Sequence, residues 1–549
     1  MRTLPLLALV LLWPAAASAT DYPADPTTYR NLLNGLQPGD RLLLAAGTYE
    51  GLPVSDLNGT AQSPIVISGP ASGARAIIGG RSCCNTISIT DSSYVVLQHL
   101  DVDNRGEEVD GLKAEGNSQF AHHITLEDLH IYNFGVDQQL VGISTKCPAW
   151  DWIIRGNFIE AAGTGLYLGD STGDAPFVRG IVEQNLVVDP LGYDMQIKHQ
   201  NPRPNLAGLP TGDSVTVIRH NVFVKANRAA TGADARPNLL VGHWPPSGPG
   251  QNDRYEIYGN FFYQNATGGE GLFQGEGHVA FHDNVLVNSF GPGVYIQPQN
   301  DAVKNIQIYN NTVYVSGEGI AIFGADQAYT QEIVGNAVFA GTPLQGGDQR
   351  DNVTAAFNQA GTYVNTPGTN PGNMDFYPRP GGGLEGGAID LSGFGAHQEW
   401  DRDFNGASKT QNYRGAYSGS GTNPGWALAV DFKGLGAVPP PVDAGFPDQG
   451  FVDGGFVDGG AEADAAPIDV GFDDAGQPAD VGFPADLGFD DAGRPVDAGV
   501  RADSGNSGPA DPDPNAELSG GCGCRTSDAD PQSPAWAILG FALFIRRRR

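Results

Sequence analysis

The chain has 549 residues, a formal net charge of −31 at pH 7 and a pI near 4.4. A surplus of negative charge this large argues against nucleic acid or an anionic membrane surface as a partner. The 77 glycines and 39 prolines, against three methionines, favour turns and β structure over a helical bundle.

The first 19 residues are typical of a secretory signal. One early arginine precedes an apolar run, and the small residues Ala17-Ser18-Ala19 end the segment. We therefore expect cleavage after Ala19 and an exported protein. The next stretch, "DPTTYRNLLNGLQPGD", places Tyr29, Leu32, Leu33 and Leu36 on one face of a short helix. Such a helix would cap the N-terminal end of a β domain.

An internal repeat follows, in which an alternating strand, an asparagine and a second strand recur. Steps of 24 to 39 residues separate the asparagines, which are Asn157, Asn185, Asn221, Asn260, Asn284, Asn311 and Asn336. Two earlier copies place His99 and Asp128 at the same position. Asparagine tolerates left-handed turns and stacks on its equivalent in the next repeat. A period near 25 with short strands predicts an all-β, right-handed parallel β-helix over residues 20–345.

The segment 346–436 lacks the repeat and is predicted to cap the solenoid, with structural roles for Asp390, Asp401 and Asp403. Residues 437–519 are rich in Asp, Gly and Pro. Within 441–519, 18 acidic residues face two arginines, a net charge of −16. Such a tract cannot bury a core, so we expect a disordered, extended spacer. Residues 520–549 combine Gly-Cys, a short apolar run and four arginines.

This tail resembles the C-terminal sorting signal of exported myxobacterial proteins. The resemblance implies processing near the Gly-Cys and retention at the cell surface, with the tail as the protein's only contact with a membrane. A plain membrane tail anchor is the alternative. Of the remaining cysteines, at most one of Cys83 and Cys84 is expected to pair with Cys147. A vicinal disulfide and free thiols stay open.

Each repeat carries another strand, usually opened by glycine, and stacking these strands predicts one shared face. The first outward column is Lys113, Ser144, Tyr167, Gln196, Leu240, Phe273 and Tyr295. The second is Glu115, Lys146, Gly169, Lys198, Gly242, Gly275 and Gln297, with Asp170, His199, His243 and Glu276 just beyond. Trp150, Trp152 and Trp244 are expected to wall the trough. Aromatic plates beside charged groups suit a sugar chain.

Three stretches resemble the polysaccharide lyases of the chondroitinase B and alginate lyase type. "DMQIKHQN" matches the family's base-bearing strand at Lys198, "NLLVGHW" matches the next coil at His243, and "GLFQGEGHVAFHDNVL" matches a later coil. The family's arginine before the histidine is Gly242 here. Its acidic calcium ligands are missing, apart from Asp194 nearby. The resemblance implies β-elimination on a uronate-containing polysaccharide.

That reaction needs a neutralised carboxylate, a base and an acid. We predict Lys198 as the base, His199 or His243 as acid or carboxylate partner, and Tyr167 as an alternative proton donor. The predicted substrate-binding residues are Lys113, Lys146, Gln196, Trp244, Phe273, Glu276 and Tyr295. If a metal assists, calcium bound by Asp170, Asp174 and Asp194 is the expected one. A hydrolase that uses two of Glu115, Asp170 and Glu276 stays open. The alternative function is a non-catalytic glycan-binding or adhesin β-helix, and in every case we expect a monomer.

Overall fold

The computed structural model describes residues 19–116, 120–198, 201–242, 244–267, 269–299 and 302–434. Residues 1–18 of the signal, the spacer 437–519 and the tail 520–549 lie outside these ranges, so their assignments stay predictions. Within the described residues, no helix is long and apolar enough to cross a membrane.

Almost every strand belongs to one of three parallel ladders, which we call A, B and C in the order in which each coil visits them. Ladder A contains Asp21–Ala24, Arg41–Leu44, Ile65–Ser68, the first parts of Ser92–Asp103 and Ala121–Tyr132, Ile153–Arg155, Ile181–Glu183, Val215–Arg219, Arg254–Tyr258, Gly277–His282, Val303–Tyr309, Gln331–Val334 and Asp348–Arg350. The short strands Ala149–Trp150 and Phe177–Val178 pair at its edge.

Ladder B contains Gly47–Glu50, Ala76–Gly79, the second parts of Ser92–Asp103 and Ala121–Tyr132, Phe158–Glu160, Leu186–Val188, Val222–Lys225, Phe261–Asn265, Val285–Asn288, the first parts of Thr312–Ile322 and Ala337–Gln345, and Val353–Ala355. Ladder C contains Leu52–Ser55, Ile87–Thr90, Leu112–Glu115, Val141–Thr145, Thr164–Leu168, Met195–Ile197, Leu239–Val241, Phe273–Gly275, Val294–Ile296 and the ends of Thr312–Ile322 and Ala337–Gln345.

This architecture confirms the parallel β-helix. Parallel crossover connections in proteins are right-handed, the hand expected from the sequence. The ladders continue to Ala355, ten residues past the predicted boundary. The N-terminal helix Tyr29–Leu33 is present and buries Tyr29 and Leu33. The other helical turns are Gly232–Asp234, Phe357–Thr362 and Ser392–Phe394.

The core runs along the solenoid axis, because alternate residues of each ladder point inward. One inward column of ladder A is Leu126, Ile154, Val182, Ile218, Ile257, Phe281, Ile308 and Ile333, and all eight are fully buried. Burial of each such side chain contributes roughly 1.5–3 kcal/mol. The stack of coils, not any single strand, therefore supplies the stability.

The predicted asparagine stacking is confirmed as a buried ladder at the turn between A and B. Asn157 Nδ2 donates to Asn185 Oδ1 at 2.9 Å. The same bond recurs at 2.9–3.0 Å through every later asparagine of the repeat to Asn352, which the sequence analysis did not include. Each of these amides also accepts a backbone N–H from the preceding coil, as Asn185 does from Asn157. The buried polar groups of this turn are thus satisfied.

The placement of His99 and Asp128 in that column was wrong by one residue. Both have positive φ (57° and 49°) and align with Gly156 (φ 62°), which directly precedes Asn157. The left-handed residue and the stacking residue are therefore two neighbouring positions. Leu129 occupies the stacking position in the earlier coil and donates its N–H to Asn157 Oδ1.

The segment 356–434 covers the side of the solenoid, rather than closing its end as a cap would. Outward residues of ladder B such as Phe261 and Val285 share an apolar cluster with Phe376, Phe404 and Tyr417 from this segment. Within the segment, the strands Val364–Thr366 and Asp375–Pro378 form a small antiparallel pair. Asp403 accepts N–H bonds from Asn405, Ala407 and Ser418, the structural role expected of it. We call residues 356–434 the lateral cover.

Of the pairings that the sequence left open, neither a disulfide to Cys147 nor a vicinal disulfide is formed. Cys147 is a buried free thiol and Cys83 an exposed one. Burial raises the pKa of the Cys147 thiol to about 12. Cys84 is disulfide-bonded, but to neither of these two.

Candidate functional site

The outer surface of ladder C carries the predicted face, and its register is confirmed over the first five coils. Lys113 pairs with Ser144, Ser144 with Tyr167, Tyr167 with Gln196, and Gln196 with Leu240. The side chains of this column therefore lie one coil, about 4.8 Å, apart.

Phe273 was wrongly placed on this face. Gln274 pairs with both Leu240 and Tyr295, so it occupies the outward position. Phe273 is fully buried and stacks on Phe281 with ring centroids 4.6 Å apart. The same one-residue shift puts Glu276, not Gly275, in the second column. Because strand side chains alternate, a slip of one residue exchanges the inner and outer sets.

The N-terminal half of the face forms a basic cluster of Lys113, Lys146 and Lys198 around Tyr167. Lys146 Nζ lies 3.8 Å from the centroid of the Tyr167 ring, and Lys198 Nζ lies 5.7 Å from it. Both distances are within the range of cation–π attraction. Gly169 stands between the two lysines in their column, where a Cβ would lie 3.4 Å from the Ala175 carbonyl oxygen and 3.6 Å from Lys198 Cβ. One aromatic ring thus lies within reach of two ammonium groups.

Lys113 belongs to the same cluster but is paired. Its Nζ lies 3.0 Å from Glu115 Oε1, and both side chains are partly exposed. Lys198 is only 8% exposed, although it occupies an outward position in the second column. Lys146 is partly exposed, so this lysine and the edge of Lys198 reach the surface beside the Lys113–Glu115 pair.

Asp110 is bonded to the ladder C strand that precedes Lys146, a role that was not predicted from the sequence. Its carboxylate accepts a hydrogen bond from Ser144 Oγ at 2.9 Å and another from the Val141 N–H at 2.9 Å. Burial raises the pKa of Asp110, opposed by these bonds and by Lys113 and Lys146. The signal was available in the sequence, because Asp110 directly precedes the Gly-Leu that opens a ladder C strand.

The middle of the face is closed. Gln196 is 2% exposed and its Oε1 is buried without a hydrogen-bond partner in the described part of the chain. Leu240 in the next coil is 5% exposed. A sugar chain on this face would contact the basic cluster and not these two residues.

The C-terminal half of the face is acidic and internally bonded. Glu276 is 1% exposed and accepts the Gln299 N–H at 2.7 Å. Tyr295 donates its hydroxyl to Glu318 at 2.9 Å, and burial together with that carboxylate raises the pKa of Tyr295 to about 12. Glu276 and Tyr295 therefore lie in a half of the face that would repel an acidic polymer.

The tryptophans do not wall a trough, contrary to the expectation. Trp152 is in the core, where its Nε1 donates to Ala121 O at 2.9 Å. Trp150 is 1% exposed beneath Leu209 of the insertion after ladder C. Trp244 turns toward ladder A and lies under Lys304, whose Nζ is 3.1 Å from the ring centroid. Large aromatic side chains are more often buried than exposed, which explains why these tryptophans pack against the protein and do not line its surface.

The three candidate metal ligands are held apart. Asp170 caps its own loop by accepting bonds from Thr172 Oγ1 and the Ala175 N–H, while Asp174 accepts one from Asn201. Asp194 is fully buried at the opposite end of its strand, and burial raises its pKa well above the usual range. Across the described ranges, no group of three His, Cys, Asp or Glu side chains is placed to hold a metal ion. The predicted calcium site at Asp170, Asp174 and Asp194 is therefore wrong.

Two predicted catalytic residues, His199 and His243, lie outside the described residues, so their roles stay predictions. The position before His243 is informative. Gly242 has φ +112°, and a Cβ there would lie 1.9 Å from the Glu276 carbonyl oxygen. The backbone of the next coil thus excludes every side chain, including the arginine of the lyase pattern.

No family model matches this chain, and no curated protein does either. Solved structures with a similar fold include an alginate lyase from Paenibacillus sp. str. FPU-7 (18% identity, 60% of this chain, 99% of the lyase, TM-score 0.37). Pectate lyase Pel9A is 12% identical, and the match covers 77% of this chain and 98% of the lyase with a TM-score of 0.38. A GH136 lacto-N-biosidase from Eubacterium ramulus is 12% identical, and the match covers 61% of this chain and 68% of the biosidase with a TM-score of 0.35. Because every TM-score here is below 0.5 and every identity below 20%, their activities carry no argument about this chain.

Proposed function

We propose that this protein binds an acidic polysaccharide at the basic cluster of ladder C and cleaves it by β-elimination. The observation that carries the proposal is the position of Lys146 and Lys198 on either side of the Tyr167 ring. Polymer anions would be attracted to this cluster, and the acidic remainder of the chain would confine them to it.

Each side chain of the cluster has a role in such a reaction. Lys146 pairs with the uronate carboxylate, which makes the C5 proton more acidic. Lys198 first loses a proton to solvent, and its neutral amine then takes the C5 proton as the C4–C5 double bond forms and the C4–O bond breaks. Tyr167 gives its phenolic proton to the departing oxygen. Proton exchange with water then restores both groups.

A second candidate is binding without cleavage, and Gly242 favours it. The lyase pattern places an arginine at this position, and the Glu276 backbone leaves no room for one. Lys146 would then be the main carboxylate contact, and Lys198 and Tyr167 would act as binding residues.

One experiment separates the two candidates. The full-length protein is incubated with alginate, pectate, chondroitin and heparin, and the 4,5-unsaturated product is followed near 235 nm alongside equilibrium binding. We expect product from one polymer and at least a hundredfold lower rate for Lys198→Ala. Arg41→Ala removes an exposed charge from ladder A and serves as the matched control.

Binding that Lys146→Ala weakens, with no product from any polymer, would establish the second candidate. Polymer binding that neither lysine variant changes, or no binding at all, would refute both. An unchanged rate in Lys198→Ala would show that another group is the base.

We also propose that the protein is exported as a monomer and held at the cell surface. The signal at 1–19 and the tail at 520–549 support this, with the spacer 437–519 as tether. Mass spectrometry of the termini in the surface fraction tests it. Intact residues 1–19, or a cytoplasmic location, would contradict it.

A further inference from the structure

A polar cavity lies on a different surface from the basic cluster, over the outer side of ladder A in its last coils. Its volume is about 420 Å³, and Arg254, His278, Asn305, Gln307, Tyr329 and Glu332 line it. Sites for small ligands in proteins begin at roughly 300 Å³. The row beneath it runs Glu256, Ala280, Gln307, Glu332, so a short alanine between long side chains leaves the depression.

His278 is the group in this cavity that points to a ligand. It is 8% exposed, and its Nε2 is buried with no hydrogen-bond partner in the described part of the chain. Burial, with Lys304 and Arg254 nearby, lowers the pKa of His278 to about 4, so the ring is neutral at pH 7. A buried ring nitrogen without a partner costs free energy, which a ligand hydroxyl would recover.

The charges around the cavity are already compensated. Arg254 Nε donates to Glu256 Oε1 at 3.0 Å, and the other oxygen of Glu256 accepts the Gln398 N–H from the lateral cover. Glu332 lies 3.6 Å from an Arg350 nitrogen. An ionic ligand would therefore compete with the ion pairs of Arg254 and Glu332, whereas the amides of Asn305 and Gln307 suit hydroxyl groups.

Tyr329 supplies an apolar wall. Its ring is half-buried and stands edge-to-face with His278 at 5.8 Å, while Lys304 Nζ lies 5.6 Å from its centroid. Sugars combine hydroxyl edges with C–H faces, and an aromatic ring beside amides matches both. The cavity volume suits one or two such rings.

We propose that this cavity is a second saccharide site, which takes an uncharged hexose unit with Tyr329 against its C–H face and Gln307 and His278 Nε2 on its hydroxyls. It differs from the basic cluster in surface, in charge and in ligand class, and it does not depend on that cluster being functional. The protein would thus bind a neutral sugar on ladder A and an acidic polymer on ladder C.

Saturation-transfer NMR on the full-length protein tests the site, with the methyl glycosides of glucose, galactose and mannose as probes and glucuronic acid as the charged comparison. We expect millimolar binding of at least one neutral glycoside and none of glucuronic acid. Tyr329→Ala and Gln307→Ala should each weaken binding at least tenfold. Tyr132→Ala and Gln98→Ala, on distant parts of ladders B and A, are matched controls and should leave it unchanged.

Three results would overturn the proposal. They are absence of saturation transfer to every neutral probe, binding that survives both cavity variants, and preference for glucuronic acid. Both cavity residues are half-buried at the surface, and circular dichroism of the variants verifies folding. His278→Gln keeps a polar group at the base of the cavity and should retain part of the affinity that His278→Ala loses.

Discussion

Tyr167 is the residue on which the basic cluster depends, because it lies between two lysines that are two coils apart. At about 4.8 Å per coil, the backbones that carry Lys146 and Lys198 are separated by roughly 10 Å. The aromatic ring occupies the intervening coil and brings both ammonium groups to one surface. A linear polyanion that lies across the coils would meet both charges.

Lys146→Ala should weaken binding of the acidic polymer about tenfold to a hundredfold. A hydrogen bond to a charged group contributes about 1.5–3 kcal/mol, and this lysine is the more accessible of the pair. Titration calorimetry at low and high salt measures the change, which should shrink as screening increases. Equal affinity for the variant would mean that the polymer binds elsewhere.

Gly242 lies too close to the backbone of the next coil to accept a side chain, so its substitution should lower the stability of the fold. Gly242→Ala should destabilise the fold by about 1–3 kcal/mol, because a Cβ would meet the Glu276 carbonyl oxygen and φ is +112°. Gly212→Ala is the control, since nothing lies within 4 Å of its Cβ position. Urea denaturation compares the two. Identical midpoints would show that the coils shift freely at this point.

At the scale of one element, the asparagine ladder joins the coils from Asn157 to Asn352. Each interior amide donates to the next coil and accepts from the previous one, so the loss of one such member leaves partners on both sides unsatisfied. Replacing an asparagine in the interior of the ladder should therefore reduce the stability of the protein more than replacing the one at its end.

Asn260→Ala should cost about 1–3 kcal/mol for each buried group left unpaired, and Asn352→Ala should cost less. Asn260 is fully buried, whereas Asn352 is half-buried at the terminal coil. The midpoint of chemical denaturation gives both values. Equal losses would indicate that the ladder is a consequence of the fold and contributes little to it.

At the scale of the whole molecule, the lateral cover is fastened to the solenoid by a buried lysine. Lys433 Nζ donates to Gly259 O at 2.6 Å and lies 3.6 Å from the centroid of the Phe404 ring. Burial lowers the pKa of Lys433 to about 7, although the negative charges of Glu399, Asp403 and Asp283 act in the opposite direction. The cover therefore docks most favourably when this amine is neutral.

The stability of the protein relative to Lys433→Met should rise as the pH increases from 7 toward 10. In this window the unfolded state, with a pKa near 10.4, binds the proton that the folded state has lost. The free energy of unfolding of the protein with Lys433 therefore increases by up to about 1.4 kcal/mol per pH unit. The Lys433→Met variant has no titrating group at this position and lacks this contribution. Denaturation of both proteins at pH 7, 8 and 9 measures this difference. A constant difference would place the folded pKa outside the window.

The asparagine repeat and the glycine-opened strands predicted the β-helix and most of the outer face of ladder C, because both signals are local. Gln196 and Phe273 show where such signals fail. Gln196 has the outward position that alternation assigns, yet neighbouring groups bury it. Phe273 was assigned by its distance from a glycine, but ladder pairing shifts that strand by one residue.

The sequence by itself thus determined the coil, its stacking turn and the presence of Lys146, Tyr167 and Lys198 on one ladder, since the period of the chain alone sets these. Only the tertiary structure decided which aromatic residues are buried, that residues 356–434 cover ladder B, and that His278 and Tyr329 meet beside Arg254. These arrangements depend on contacts between distant coils and on the volume between them, and no spacing along the chain encodes them.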